Sequence, residues 1–234
     1  MKIVPLDAEL RGQRSFQELR RAWPEIVFHD SVSNANWGRL YGERPEFQFA
    51  LVDDGRVLAE GNSIPVGGMP ASWREALRTG FGDGEPDRLC ALAILVDPNH
   101  QRRGLSRLML EHMRGLAYER GWELVAPVRP SLKHRYPLIP MGRYARWTRT
   151  DGAPFDPWLR THRRLGATFL GVATRSMVVT GTVAEWQAWT GMEFPASGVY
   201  IVPGALAPVT IDRRRDLGRY VEPNVWMRHD LAPA

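Results

Sequence analysis

The stretch from Arg88 to Val128 constrains the fold more than any other. RLCALAILV (88–96) is a nearly continuous apolar run, which fits a strand covered on both faces. It stops at Asp97-Pro98, and a short loop containing Gln101-Arg102-Arg103-Gly104 follows. A helix then begins near Leu105. Leu105, Leu108, Met109, His112, Met113 and Leu116 fall at i, i+3, i+4, i+7, i+8 and i+11, a stripe that is apolar except at His112. Arg107 and Glu111 are spaced i, i+4 on the outer face, and Gly121 is a natural stop. WELVAPV (122–128) reads as the next strand. Strand, helix and strand make one parallel unit with a right-handed crossover.

The flanking segments set a mixed α/β (α+β) class. Helices are expected over 14–23 and 34–44, the second ended by Pro45. Residues 46–66 read as a hairpin around Asp54-Gly55, a strong two-residue turn signal. A loop with one short helix over 71–79 precedes the apolar run. Beyond the parallel unit, 142–150 and 157–165 read as short helices. The second has Asp156 at the N-cap, Pro157 at the first helical position and Gly166 at its end. Residues 167–181 are strand-like, 182–191 helical, 198–211 strand-like again, and 218–230 closes the chain.

Composition excludes several classes. No apolar stretch reaches the roughly 20 residues of a membrane helix, and the N-terminus lacks the apolar region of a secretory signal. The single cysteine, Cys90, rules out an intrachain disulfide and points to a reducing compartment, hence a cytoplasmic protein. The net charge is +5, and only Lys2 and Lys133 among the basic residues are lysine. Arginine forks suit phosphates and carboxylates. The basic residues are spread among acids without an aromatic platform, so no nucleic-acid partner is expected. Paired-Cys, H-E-x-x-H and G-x-S-x-G patterns are absent, leaving zinc and serine-hydrolase chemistry unsupported. No metal is expected.

A helix N-terminus presents about four unpaired N–H groups and roughly half a positive charge. A glycine in the preceding loop lets the backbone approach an anion closely. The segment Gln101-Arg102-Arg103-Gly104-Leu105-Ser106 meets these needs. It resembles the acyl-CoA-binding motif Q/R-x-x-G-x-G/A of the GNAT superfamily of N-acetyltransferases, with Gln101, Arg102, Arg103, Gly104 and Ser106 at the motif positions. Ser106 departs mildly from the usual small residue. The order of elements also agrees over about residues 1–180, and 181–234 reads as a C-terminal extension packed on the same domain. The resemblance implies a GNAT fold: a central, mostly antiparallel sheet with one parallel strand–helix–strand unit, flanked by helices. It further implies that the strand before the loop splays from its neighbour. Ile94, Leu95 and Val96 then face pantetheine, while Gln101, Arg102, Arg103, Gly104, Leu105, Ser106 and Arg107 face the pyrophosphate of acetyl-CoA or another short acyl-CoA.

Such enzymes often use a Tyr four residues before a Gly-Phe pair as the acid that protonates the leaving thiolate. Here His162 stands at the Tyr position before Gly166-Ala167. A histidine titrates near operating pH and can act as acid or base. His162 also shares a helix face with Trp158, Leu159 and Leu165, so a core histidine is the competing reading. Tyr144, Tyr136 and His134 are alternates, and His112 reads as structural. His162 also resembles the histidine of the GNAT-like domains of polyketide synthase loading modules, which decarboxylate malonyl-CoA or pass an acyl group to a carrier-protein thiol; the accompanying Thr has no clear counterpart. The expected activity is acyl transfer to a small-molecule amine by direct attack. The alternatives are a decarboxylase or S-acyltransferase using an acyl carrier protein, and a non-catalytic acyl-CoA-binding module. A homodimer is allowed.

Overall fold

A computed structural model describes residues 1–230. Strand β1 (Lys2–Pro5) leads into α1 (Ala8–Gly12), α2 (Arg14–Leu19), α3 (Ser31–Asn36) and α4 (Leu40–Glu43). The hairpin β2 (Gln48–Asp53) and β3 (Arg56–Val66) follows, then α5 (Trp73–Thr79), β4 (Arg88–Val96), α6 (Leu105–Tyr118) and β5 (Glu123–Val128). The chain continues through α7 (Met141–Tyr144), α8 (Pro157–Arg164), β6 (Thr168–Gly181), α9 (Val183–Thr190), β7 (Gly198–Tyr200), β8 (Val209–Asp212) and β9 (Leu217–His229).

All nine strands join one sheet in the order β1-β2-β3-β4-β5-β9-β8-β7, with β6 on the other edge of β9. Among the described residues only β4 and β5 pair in parallel, and every other strand pairing is antiparallel. The expected mixed fold with one parallel unit is therefore present. The residues from 181 onward supply β9, which lies between β5 and β6 and pairs with both.

Local chemistry explains the hairpin and the best helices. Asp54 and Gly55 both take positive φ, 45° and 75°, as the two central residues of a hairpin turn require. Asp156 caps α8 by accepting from the amides of Trp158 and Leu159, and Thr182 and Glu185 form a reciprocal capping box on α9. Three expectations shift. The helix expected over 34–44 starts earlier, because Asp30 caps α3 through the amides of Val32 and Ser33, and it breaks into a tighter turn at Trp37–Arg39. Of the helix expected over 142–150 only α7 forms; the chain turns back where Arg149 N–H bonds Ala153 C=O. The strand expected over 198–211 splits into β7 and β8, separated by a turn in which Gly204 takes φ 79°.

Two helical layers cover the sheet. Leu105, Met109, Leu110, Met113 and Ala117 of α6 pack with Phe49, Leu51, Leu58 and Ala59 on one face. Leu19, with Leu10 and Phe16, packs against Ala50, Val52, Val57, Ala93 and Leu95 on the other. The alternation of β2 side chains between the two faces is that of a central strand. The buried stripe of α6 is rotated from the expected one: Leu108 is 42% exposed, while Leu110 and Ala117 are buried. Among the described residues no helix is long and apolar enough to cross a membrane.

Candidate active site

The parallel pairing of β4 and β5 covers only Arg88–Cys90 against Glu123–Val125. Beyond that point β4 stays with β3, and β5 runs on with β9. The sheet therefore opens, and from Ala91 to Val96 one edge of β4 has no strand partner among the described residues. A register shift between Asn62 and Ser63 leaves Leu92 as the extra residue on β4, and such a bulge bends the strand that carries it. The Leu92 carbonyl accepts from Trp73 Nε1 at 2.9 Å, which holds the bulge. Ile94 and Val96 pack toward the α6 face and Leu95 toward the α1–α2 face, so these three share the open backbone edge but not a common side-chain surface.

The loop at the end of β4 is organised by Asp97. Its carboxylate accepts from the Asn99 amide at 2.9 Å, His100 Nδ1 at 3.0 Å and Arg56 Nη2 at 2.9 Å. Burial works to raise its pKa, but these partners outweigh it and hold the carboxyl below the usual range. The backbone then turns sharply, with φ 64° at Arg102 and 79° at Gly104. Among the described residues, the amides from Gln101 to Ser106 donate to no protein acceptor; the first bonded amide is that of Arg107, to Gly104 C=O. Successive free amides at a helix start form an anion-binding concavity. Arg102 and Arg103 are exposed and in no ion pair among the described residues, whereas Arg107 pairs with Glu111 at 2.9 Å. A Cβ at Gly104 would meet no atom within 4 Å, so glycine there serves the backbone angle and the approach to the loop.

His162 lies on α8 and is 1% exposed. Its ring meets Trp158 edge-on at 4.5 Å, and its Nδ1 lies 3.0 Å from His229 Nε2 on β9. His229 Nδ1 reaches the Leu165 carbonyl at 3.4 Å. A carbonyl only accepts, so His229 carries its proton on Nδ1 and accepts at Nε2. His162 then donates from Nδ1, and its Nε2 keeps a lone pair. Burial, reinforced by His229, holds the pKa of His162 well below its ordinary value. The neutral ring thus has no proton to give at Nε2, only a lone pair whose basicity burial weakens. Trp158 packs against the same two side-chain clusters as Ala91, which places α8 beside the start of the split.

Tyr144 is not brought into this arrangement. Its hydroxyl donates to Asp156 Oδ2 at 2.8 Å, inside an aromatic group with Tyr136, Trp147 and Phe155. Burial and the neighbouring carboxylate push its pKa far up, so its proton is committed. His134 falls in a tight turn at Lys133–Arg135, and His112 packs edge-on against Phe49 at 4.5 Å.

Two residues on β3 carry no motif and escape sequence reading. Gly61 faces α6, where a Cβ would meet the Phe49 ring at 2.5 Å, and alternation therefore turns Glu60 and Asn62 to the opposite face. Both are buried there, 6% and 0% exposed, and both have a side-chain oxygen without a partner among the described residues. The only sequence signal is the cluster Glu60, Asn62 and Ser63 between the apolar residues 57–59 and 64–66.

No family model matches the chain. The arginine N-acetyltransferase avaD of Aspergillus versicolor is 30% identical over 247 aligned positions, covering 89% of this chain and 85% of that protein. The loading GNATL domain of CurA from Lyngbya majuscula superposes with a TM-score of 0.65 at 17% identity, over 98% of this chain and 97% of that one. The GphF GNAT-like decarboxylase in complex with isobutyryl-CoA gives 0.62 at 18% identity, over 99% and 100%. The two solved structures share the fold, and the Aspergillus relative matches along nearly the whole sequence. With a sheet opened beside a loop of free amides, the chain belongs to the GNAT superfamily of N-acetyltransferases and is an acyl-CoA-dependent acyltransferase.

Proposed function

We propose that the protein moves an acetyl group, or another short acyl group, from acyl-CoA to the amine of a small-molecule acceptor by direct attack. The observation that carries this reading is the coincidence of the open β4 edge with the amides of Gln101 to Ser106 at its end. The amides and the side chains of Arg102 and Arg103 suit a pyrophosphate. The β4 edge from Ala93 to Val96, turned away from β3, suits the amides of a pantetheine arm, which pairs with such an edge as an added strand does. The amine acceptor is supported by the relative of Aspergillus versicolor, named for N-acetylation of arginine.

Attack on the thioester carbon needs a neutral amine, a donor for the developing oxyanion and an exit for the thiolate. Free N–H groups on the β4 edge suit the oxyanion. Of the two ring nitrogens of His162 only Nε2 keeps a lone pair for the amine proton, and burial, by lowering its pKa, makes it a weak acceptor. This assigns His162 as acceptor of a proton and leaves the thiolate without a committed acid.

Titration calorimetry with acetyl-CoA, malonyl-CoA and CoA tests the donor. Saturable binding of all three is expected, and no binding by any of them sinks the reading. Thiol release from acetyl-CoA across a panel of amines tests the transfer. Loss of carbon dioxide from malonyl-CoA without an acceptor, with no amine-dependent release, would replace it by decarboxylation.

A further inference from the structure

On the face of the sheet turned away from α6, Glu60 and Asn62 stand i, i+2 on β3, opposite Leu95 and Ala93 of the open stretch of β4. They are one strand from the edge where the acyl group is expected, and they look toward α1–α4. Each ends in a buried oxygen, Glu60 Oε2 and Asn62 Oδ1, with no hydrogen-bond partner among the described residues. Buried polar atoms are normally satisfied, and the carboxyl of Glu60 would need a partner above all once it ionises.

The orientation of Asn62 is fixed by its neighbour. Gln48 spends both amide hydrogens, on Arg44 C=O at 2.8 Å and Ser63 C=O at 3.0 Å. Its Oε1 must therefore accept, and Asn62 Nδ2 donates to it at 3.2 Å. A flipped Asn62 would set two oxygens against each other. Its Oδ1 is thereby held outward beside Glu60. Glu60 is in no ion pair among the described residues, although the protein carries a basic excess. Tyr41 and Trp37, joined by Trp37 Nε1 to Tyr41 Oη at 3.1 Å, pack over the same side-chain cluster as Ala93 and Leu95. The Tyr41 ring already takes a guanidinium, that of Arg11, at 4.4 Å. Two oxygens are too few for a calcium or magnesium ion. Acceptors alone repel an anion, and aromatic faces favour an organic cation.

We propose that Glu60 and Asn62 bind a cationic N–H donor of the acceptor molecule, a guanidinium or an ammonium group, and so make the enzyme selective for basic amine substrates. This rests on the reading of the protein as an acyl-CoA-dependent transferase to an amine. It adds a recognition role distinct from the chemical step: the cation is gripped on the α1–α4 face while the reacting nitrogen meets the thioester at the split.

Glu60 is pushed up to about 8 by burial, so it is largely protonated in the free protein at neutral pH, and a bound cation drives its ionisation. The groups over it are Tyr41, whose pKa burial raises first and the charge of Glu60 second, while Trp37, Arg11 and Asn62 beside it lower it, and Arg11 stacked on that ring. Binding therefore releases a proton. The test is calorimetric titration of the CoA-saturated protein at pH 7 with agmatine, cadaverine and neutral N-butylurea, in buffers of different ionisation enthalpy. Expected are saturable binding of at least one diamine, at least tenfold weaker binding of N-butylurea, and release of a fraction of a proton. Glu60→Gln, nearly isosteric with the protonated acid, should bind CoA unchanged, bind the diamine at least tenfold more weakly and release no proton. Preference for agmatine assigns a guanidinium, and preference for cadaverine an ammonium. The proposal is overturned if a CoA-binding protein takes up neither diamine, if N-butylurea binds equally well, or if folded Glu60→Gln binds and releases protons as the parent does. Diamine binding with wild-type pattern in a protein that ignores CoA would support the cation site and sink the acyl-CoA reading.

Discussion

His162 Nδ1 lies 3.0 Å from His229 Nε2, so one buried hydrogen bond ties helix α8 to strand β9 across 67 residues of chain. Both imidazoles are held neutral. Burial, helped by Arg114, lowers His229 to about 4, and burial beside His229 lowers His162 further from its ordinary range.

Stability should therefore fall on the acid side. A histidine whose folded pKa is depressed contributes stability that is complete above its unfolded value, near 6.5, and lost as pH falls through the folded value. His229 alone accounts for about 3 kcal/mol across pH 6.5 to 4. Thermal melting from pH 7 to pH 4 should show this loss, and His229→Gln should flatten part of it. An unchanged acid slope in that variant would place the titration elsewhere.

Glu60 predicts the opposite slope. Its folded value, about 8, lies above its unfolded one, near 4.3. Its contribution is full below pH 4.3 and is lost as pH rises toward 8, by on the order of 5 kcal/mol. Glu60→Gln has no charge to desolvate, so it should melt higher than the parent at pH 9 and near it at pH 5. Equal melting points at pH 9 would show that Glu60 is paired or hydrated in solution.

What was legible in the sequence follows from distance along the chain. The hairpin, β4, α6 and α8 carry signals within a few residues of themselves: Asp54-Gly55, the apolar run, the stripe with Gly104 before it, and Asp156-Pro157. The loop of free amides was legible because its glycine, its arginines and the strand before it are contiguous. The opening of the sheet was legible only through resemblance, since it depends on β9 drawing β5 away, and the pairing of Leu124 with His229 joins residues 105 positions apart. The His162–His229 bond and the orphaned oxygens of β3 were hidden for the same reason. His162 could be suspected from its spacing to Gly166, but its partner could not. Glu60 and Asn62 differ from ordinary polar residues only once Gly61 is seen jammed against Phe49.

The loop offers a direct test of the donor site. Gly104 at φ 79° has open space around it, so Gly104→Ala costs backbone strain of about 1 kcal/mol and sets a methyl group among the free amides. CoA affinity should drop about tenfold, by 1.4 kcal/mol, with a melting point only a few degrees lower. Arg102→Ala with Arg103→Ala should leave the fold intact, weaken CoA, and reduce the salt dependence of its binding. Calorimetry at two ionic strengths reads both. Full CoA affinity in Gly104→Ala would move the anion site off this loop.

Tyr144 separates packing from chemistry. Its hydroxyl donates to Asp156 Oδ2, and the same carboxylate receives the amides of Ser131, Leu132, Trp158 and Leu159. Asp156 thus holds the segment after β5 against the N-terminus of α8, the helix that carries His162. Tyr144→Phe removes one of these bonds and leaves the other donors in place, so it should cost about 1 kcal/mol and leave turnover of acetyl-CoA within about twofold of the parent. Asp156→Ala strips the cap and orphans several buried donors together, and it should cost about 3 kcal/mol or more. It should also lower turnover, because α8 no longer holds its place beside the split. Urea unfolding and thiol-release assays on the two variants decide the matter: a folded Tyr144→Phe protein that has lost turnover a hundredfold would make Tyr144 the acid that the neutral His162 is not.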